Sequence, residues 1–316
     1  MIIEKIDLDD YHNGSLSYCW LPIVSDGLGQ AINIPVIIAK GIHAGPTLGI
    51  TAVVHGNELN GMSVIQNLFT TIDVTKLSGT LIGIPVVNVP SVLVNERHFP
   101  DGQDLNRIMP GYKNGNRSQV YAHRLIQRII NKFDYLLDLH TASFGRINSY
   151  YIRADLKSKV ARDLAGIQNA QIVLHAPPEN GTLRGTAMEL GITSITIEVG
   201  NPDKFQKKMI RSSLSGIYNT LSYLNMYDIA INTKATPPVY CSNSYWIYTT
   251  IGGILEVLVQ LTQRVKKGEL IATVKDVFGK TQKSYYAPED GIIIGKSTNP
   301  IGQSGSRIVH LGIIDS

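Results

Sequence analysis

From about residue 35 to residue 230 the chain alternates short apolar runs with longer segments whose apolar residues recur at helical spacing. No other feature of its 316 residues restricts the fold as much. "IPVIIAKG", "LGITAVVHG", "GTLIGIPVVN", "FDYLLDLHT", "SYYIRA" and "ITSITIEVG" are mostly rich in β-branched residues, and several end in Gly, Asn or His, as strands do. "NGMSVIQNLFTTID", "RSQVYAHRLIQRIINK" and "KKMIRSSLSGIYNTLSYL" space their apolar residues as amphipathic helices do. Such alternation predicts an α/β layer fold around a largely parallel or mixed sheet covered on both faces. Sites in such sheets gather at the carboxyl ends of strands. His55, His140 and Glu198 stand at or near three of those ends.

After "INTKATPPVY" the pattern changes. "GGILEVLV", "VKKGELIATV", "YYAPEDGIIIG" and "SRIVHLGII" are short strands with Gly turns and little helix, predicting an all-β domain of roughly 75 residues. The chain therefore divides into residues 1–235 and 236–316.

Composition narrows the function classes. With 43% hydrophobic and 17% charged residues there is material for a sizeable core. The net charge is +4 and the basic residues are scattered; the densest group, Lys204, Lys207, Lys208 and Arg211, reads as one solvated helix face. That distribution argues against nucleic-acid binding. No apolar run is long enough to span a membrane, which argues against a membrane partner. Cys19 and Cys241 have no CxxC spacing, and "MIIEKIDLDDYHNG" carries acid where a signal peptide needs base. A soluble, reducing, cytoplasmic setting is expected.

His55 and Glu58 lie three residues apart where an apolar strand ends. Zinc takes imidazole nitrogen and carboxylate oxygen at about 2.0–2.2 Å, and catalytic zinc sites commonly have three protein ligands. Gly56 between them relieves crowding in a turn that aims both groups at one point. His140 ends "DYLLDLH", with Asp138 on the same strand face, positioned to fix the imidazole tautomer. On its own, a strand-end His satisfied by a carboxylate is the blander account of that pair. Glu198 is the one charged group of an apolar strand; a surface ion pair is its blander account. His12, His43, His98, His123, His175 and His310 have no spacing that improves on these and read as structural or surface residues.

"HGNE", "QDLNR", "LLDLHTA" and "ITIEVG", in this order and at these separations, resemble the succinylglutamate desuccinylase/aspartoacylase family of the zinc carboxypeptidase superfamily. The likeness is greatest to the branch containing N-acetyl-diaminobutyrate deacetylases, and "GPTLGITAVVHGNE", "DLNRIMPG" and "GTLRG" extend it. The resemblance implies a zinc-carboxypeptidase-like mixed sheet flanked by helices and one zinc ion per chain, bound by His55, Glu58 and His140. It implies Glu198 as general base and acid, Asn106 and Arg107 as holders of a substrate carboxylate, and Arg97 as oxyanion stabiliser. The "HFPDGQDL" segment after Arg97 varies in length across the family. Arg184 of "GTLRG" is either a further substrate contact or a solvated loop residue. The activity implied is metal-assisted hydrolysis of a small N-acyl amino acid, with a homo-oligomer possible. A carboxypeptidase acting on short peptides, or a non-catalytic small-molecule binder, are the alternatives.

The C-terminal strands resemble the barrel-sandwich modules of biotinyl and lipoyl carriers through the "VKKGE" and "APEDG" turns. Where such carriers hold a modified lysine beside Met, this chain reads "VKDVFGK", so no attached prosthetic group is expected. A β domain that shapes the entrance of the catalytic pocket is.

Overall fold

The computed structural model describes residues 1–315. Nine strands come first: β1 (Ser15–Ser25), β2 (Ala31–Lys40), β3 (His43–Ala52), β4 (Ser78–Ile84), β5 (Tyr135–His140), β6 (Arg146–Asn148), β7 (Tyr150–Ala154), β8 (Ile172–His175) and β9 (Thr193–Val199). Between them and after β9 lie the helices α1 (Asn60–Thr71), α2 (Val89–Val92), α3 (Arg117–Arg128), α4 (Lys159–Gly166), α5 (Leu183–Glu189) and α6 (Lys207–Tyr223). An exposed stretch of about ten residues then leads to β10 (Val239–Tyr248). Beyond it every regular element among the described residues is a strand. These are β11 (Gly253–Val257), β12 (Arg264–Val265), β13 (Leu270–Lys275), β14 (Thr281–Tyr286), β15 (Gly291–Ser297), β16 (Ile301–Gly302) and β17 (Arg307–Ile314). None of the helices is long and apolar enough to cross a membrane.

One mixed sheet runs β1-β2-β4-β3-β5-β9-β7-β8-β10-β17-β15-β12, with β6 paired to β15. Its centre, β4-β3-β5-β9, is parallel. A second sheet, β14-β13-β11-β16, belongs to the C-terminal strands alone and packs over its own apolar cluster, including Leu255, Ile271, Val274 and Leu311. The large sheet does not stop at β9: β10 adds parallel to β8 and β17 adds antiparallel to β10. The C-terminal strands thus continue the layer that carries the strand-end histidines.

Helices cover both faces of the centre. α1 sends Val64, Ile65, Leu68 and Phe69 into one apolar cluster, with Ile217 and Leu221 of α6. α3 sends Tyr121, Leu125 and Ile126 into the other. Asn116 and Gln119 form a reciprocal cap at the start of α3, satisfying backbone donors that would otherwise be orphaned. The expected strands and the three longest helices are present. α4 and α5 have only eight and seven residues, too short to display an apolar period in the sequence.

Candidate metal centre

The turn after β3 is forced. Val53 takes φ +57°, a left-handed conformation that is costly for a β-branched residue, by about 1–3 kcal/mol. Backbone bonds from Val87 and Asn88 to the carbonyls of Ala52 and Val53, and the Asn88 amide donating to Val54 O at 3.0 Å, hold it there. Gly56 follows because a Cβ at that position would lie 2.4 Å from the Ser91 carbonyl carbon and 2.5 Å from Glu96 O. The chain bends off the sheet and points His55 and Glu58 back over the end of β5.

There they meet His140. Candidate ligand atoms of His55, Glu58 and His140 all lie within 4.8 Å of one another, and all three residues are buried. His140 Nδ1 is 2.9 Å from Glu58 Oε2, and its Nε2 is 2.9 Å from Asp138 Oδ2. His55 has the same arrangement: Nδ1 lies 2.9 Å from Glu58 Oε1, and Nε2 is 3.0 Å from Asp104 Oδ1. Both imidazoles therefore turn Nδ1 toward one carboxylate and back their Nε2 onto another. With the Nε2–H atoms donated to Asp104 and Asp138, the Nδ1 lone pairs are left for a cation. His55 Nδ1 is buried without a hydrogen-bond partner, its approach to Glu58 lacking hydrogen-bond geometry. An orphaned ring nitrogen beside an ionised carboxylate fits a divalent cation, and the N/O donor set suits zinc.

Electrostatics agree. Burial pushes the Glu58 carboxyl up, but the two imidazoles outweigh it and hold it far below the carboxylate range. Burial pushes His140 down, yet Asp138 and then Glu58 hold it well above its ordinary value. This pocket of acceptors demands positive charge at its centre. The Thr141 amide donates to Glu58 Oε2 at 3.1 Å, and Thr51 Oγ1 to Asp138 Oδ1 at 2.7 Å, fixing both carboxylates.

Asp104 is the partner that the sequence did not reveal. Its Oδ1 accepts from His55 and from the Asn106 amide, and its Oδ2 from Arg97 Nη2 at 3.0 Å. Burial pushes this carboxyl up, but His55 and Arg97 hold it far below its usual range. Arg97 reaches the site as expected and spends its other Nη on Glu58 Oε1 at 3.0 Å. Asn106, which lines the same cavity, accepts from the Leu183 amide in the first turn of α5 with its side-chain carbonyl. Arg107 is exposed beside it, its guanidinium donating to the Asn106 carbonyl at 2.8 Å. Arg184 is buried, with Nη1 and Nη2 donating to the carbonyls of Ala176 and Pro177. It is not a solvated loop residue; it clamps the segment that follows β8.

Glu198 stands in register with His140 on β5 and with Tyr151 on β7, so the three side chains share one row and one face. Asn148 donates to its Oε2 at 3.3 Å. Burial, and then the negative charge of Glu58, push its carboxyl upward despite His140 and Arg153.

All eight site residues named from the sequence line one cavity of about 370 Å³. The side chains of its far wall were not named from the sequence. Arg146, Arg153 and Tyr151 come from the strands beyond β9, and Ser244, Trp246, Arg307 and His310 from β10 and β17. His310 in particular is buried in that wall, stacked on Trp246 with ring centroids 5.1 Å apart and bonded to Ser244 Oγ at 2.8 Å. Burial, then Arg153, Arg146 and Arg307, push its pKa down to about 3. The other five histidines that read as structural or surface residues stay outside the cavity.

Comparison with known proteins adds to this geometry. A family model described as the succinylglutamate desuccinylase/aspartoacylase catalytic domain matches residues 44–224. The N-alpha-acetyl-L-2,4-diaminobutyric acid deacetylase of Halomonas elongata is 24% identical over 290 residues, covering 87% of this chain and 84% of that protein. The product-bound ectoine utilization protein EutE (DoeB) of Ruegeria pomeroyi superposes with a TM-score of 0.86 at 21% identity, over 96% of each chain. A succinylglutamate desuccinylase/aspartoacylase from Rhodobacter sphaeroides gives a TM-score of 0.86 at 23% identity over 98% of each chain. At these identities the solved structures establish the shared fold.

Proposed function

The chain belongs to the succinylglutamate desuccinylase/aspartoacylase family, and on that premise we propose that it is a zinc-dependent amidohydrolase removing the acyl group from an N-acyl amino acid. One observation carries the reading: two imidazoles, each braced by its own aspartate, turn Nδ1 toward the single buried carboxylate of Glu58. The name of the Halomonas elongata relative, a deacetylase of an N-acetylated amino acid, supports it.

His55, Glu58 and His140 would hold one zinc ion per chain. Zinc bound there supplies a Lewis acid and lowers the pKa of water from about 15.7 to about 7. Glu198, its carboxyl raised by burial, takes a proton from the attacking water and returns it to the leaving nitrogen, whose C–N bond breaks. Arg97 faces the developing oxyanion with the donors not engaged by Glu58 and Asp104. Arg107 and the Asn106 NH2 meet the substrate carboxylate, for which a guanidinium offers two parallel hydrogen bonds. Arg184 acts in this scheme by holding the cavity wall through the 176 and 177 carbonyls.

Residues 1–235 form the catalytic domain in this reading and 236–316 a second, barrel-sandwich-like β domain, whose separate sheet and apolar cluster support the division. Its β10 and β17 supply Trp246 and Arg307 to the cavity, which supports a role in selecting substrate. Elemental analysis with a panel of N-acyl amino acids and the Glu198→Ala variant tests the reaction. The variant should keep stoichiometric zinc while turnover falls roughly 100- to 10,000-fold. Normal turnover would remove Glu198 from the mechanism, and absence of zinc would remove the metal.

A further inference from the structure

A strand aims a general base only in part. The backbone of β9 fixes where the Glu198 carboxyl group lies, but the terminal torsion of a Glu side chain is broad and leaves its plane free to turn. The side-chain amide of Asn148 donates to Glu198 Oε2 at 3.3 Å, which holds one oxygen and leaves the other for a water. A carboxylate can only accept, so the NH2 of Asn148, not its carbonyl, faces it.

What holds Asn148 lies partly among the C-terminal strands. Asn148 is buried at the end of β6, which has three residues and pairs with β15. The Ile294 carbonyl accepts from both the amide and the hydroxyl of Ser149, each at 2.9 Å, and the Gly145 carbonyl accepts from the Thr298 amide at 2.8 Å. On the other side, the backbone amide of Asn148 donates to Asn201 Oδ1 at 3.2 Å, just beyond the end of β9.

Gly295 stands directly opposite Asn148 in the β6–β15 pair. A Cβ there would lie 2.5 Å from Asn148 Oδ1 and 3.2 Å from the Ile147 carbonyl oxygen. The atom in the way is the far end of a side chain, which yields by rotating. That rotation takes the NH2 of Asn148 off Glu198 and leaves the strand pairing in place.

Resting on the reading of Glu198 as the proton carrier, we propose that Asn148 is its positioning residue and that Gly295 keeps Asn148 in place. The C-terminal strands then take part in the reaction by holding the base, besides bordering the cavity.

The test measures kcat, KM, zinc content and melting temperature with the N-acyl amino acid that the zinc-loaded wild type turns over best. The variants are E198A, N148A, N148D, G295A and the doubles N148A/E198A and N148A/G295A. N148A and N148D should each lose roughly 10- to 100-fold in kcat, the range of a hydrogen bond to a charged group, with KM and zinc content near wild type. G295A should lose kcat in the same way. Two cycles separate positioning from a merely structural role. N148A should cost nothing further in the E198A background, and G295A little further in the N148A background, where the added Cβ has room. An undiminished N148A loss beside E198A, losses that multiply in N148A/G295A, or a loss confined to KM overturns the proposal. So does wild-type kcat in G295A, or in N148A and N148D. Where N148A fails to fold, N148D, which keeps the volume without the donor, replaces it. Normal turnover in E198A, or no turnover of any N-acyl amino acid, instead overturns the reading on which the proposal rests, and the proposal with it.

Discussion

Asp104 joins three parts of the site through one carboxylate: the Nε2 of His55, the guanidinium of Arg97 and the amide of Asn106. Asp138 does the simpler job of bracing His140. Removing either should loosen an imidazole without deleting a ligand. Asp104→Ala and Asp138→Ala are expected to lower zinc affinity about 10- to 100-fold, measured by competition with a chromogenic chelator. Unchanged affinity in both would show that the aspartates do not support the metal. His55, Glu58 and His140 were legible in the sequence because each sits in a short phrase at a strand end. Asp104 was not, since 49 residues separate it from His55 and nothing local says which imidazole it meets. The burial of Arg184 and its bonds to the Ala176 and Pro177 carbonyls were not legible, because a guanidinium bound to carbonyls looks in sequence like any other.

The turn between β3 and α1 is the element that brings His55 and Glu58 to His140. It keeps Val53 left-handed and brings Gly56 against the backbone of the α2 segment. Gly56→Ala should therefore destabilise the protein by about 1–3 kcal/mol, seen as a lower melting temperature, with weaker zinc retention. A variant that melts and binds zinc as the wild type does would contradict this packing. The pair β10 and β17 has a pH signature of its own. His310 is buried neutral with its pKa down at about 3, against about 6.5 when unfolded. Below pH 6.5 the unfolded chain takes the proton that the folded chain refuses, so stability falls as pH drops from about 6.5 toward 3. His310→Gln should lose less melting temperature than the wild type between about pH 7 and pH 4. Equal losses would mean that His310 does not titrate on unfolding. Neither β17's part in the cavity nor the two short helices could be read in advance, because a strand's neighbours leave no period in the chain and about two helical turns are too few to show one.

At the scale of the molecule, the cavity exists because the sheet does not end with β9. It runs on through β7, β8, β10 and β17, and its outer strands close the wall opposite the candidate metal ligands. Zinc bound among three residues from two strand ends should stabilise the fold by mass action. Chelation should lower the melting temperature and zinc addition should restore it; no shift in either direction would argue that the folded protein has no preference for the ion. The sequence by itself determined the class of fold, the strand ends that line the cavity and the three metal-ligand candidates. Hydrophobic periodicity and strand-end motifs are local, so they survive in a linear text. Only the tertiary structure decided which carboxylates brace the imidazoles and that a stack of Trp246 with two arginines and His310 forms the far wall. Those contacts join segments far apart in the chain, and their partners are set by strand order and register, which no local pattern encodes.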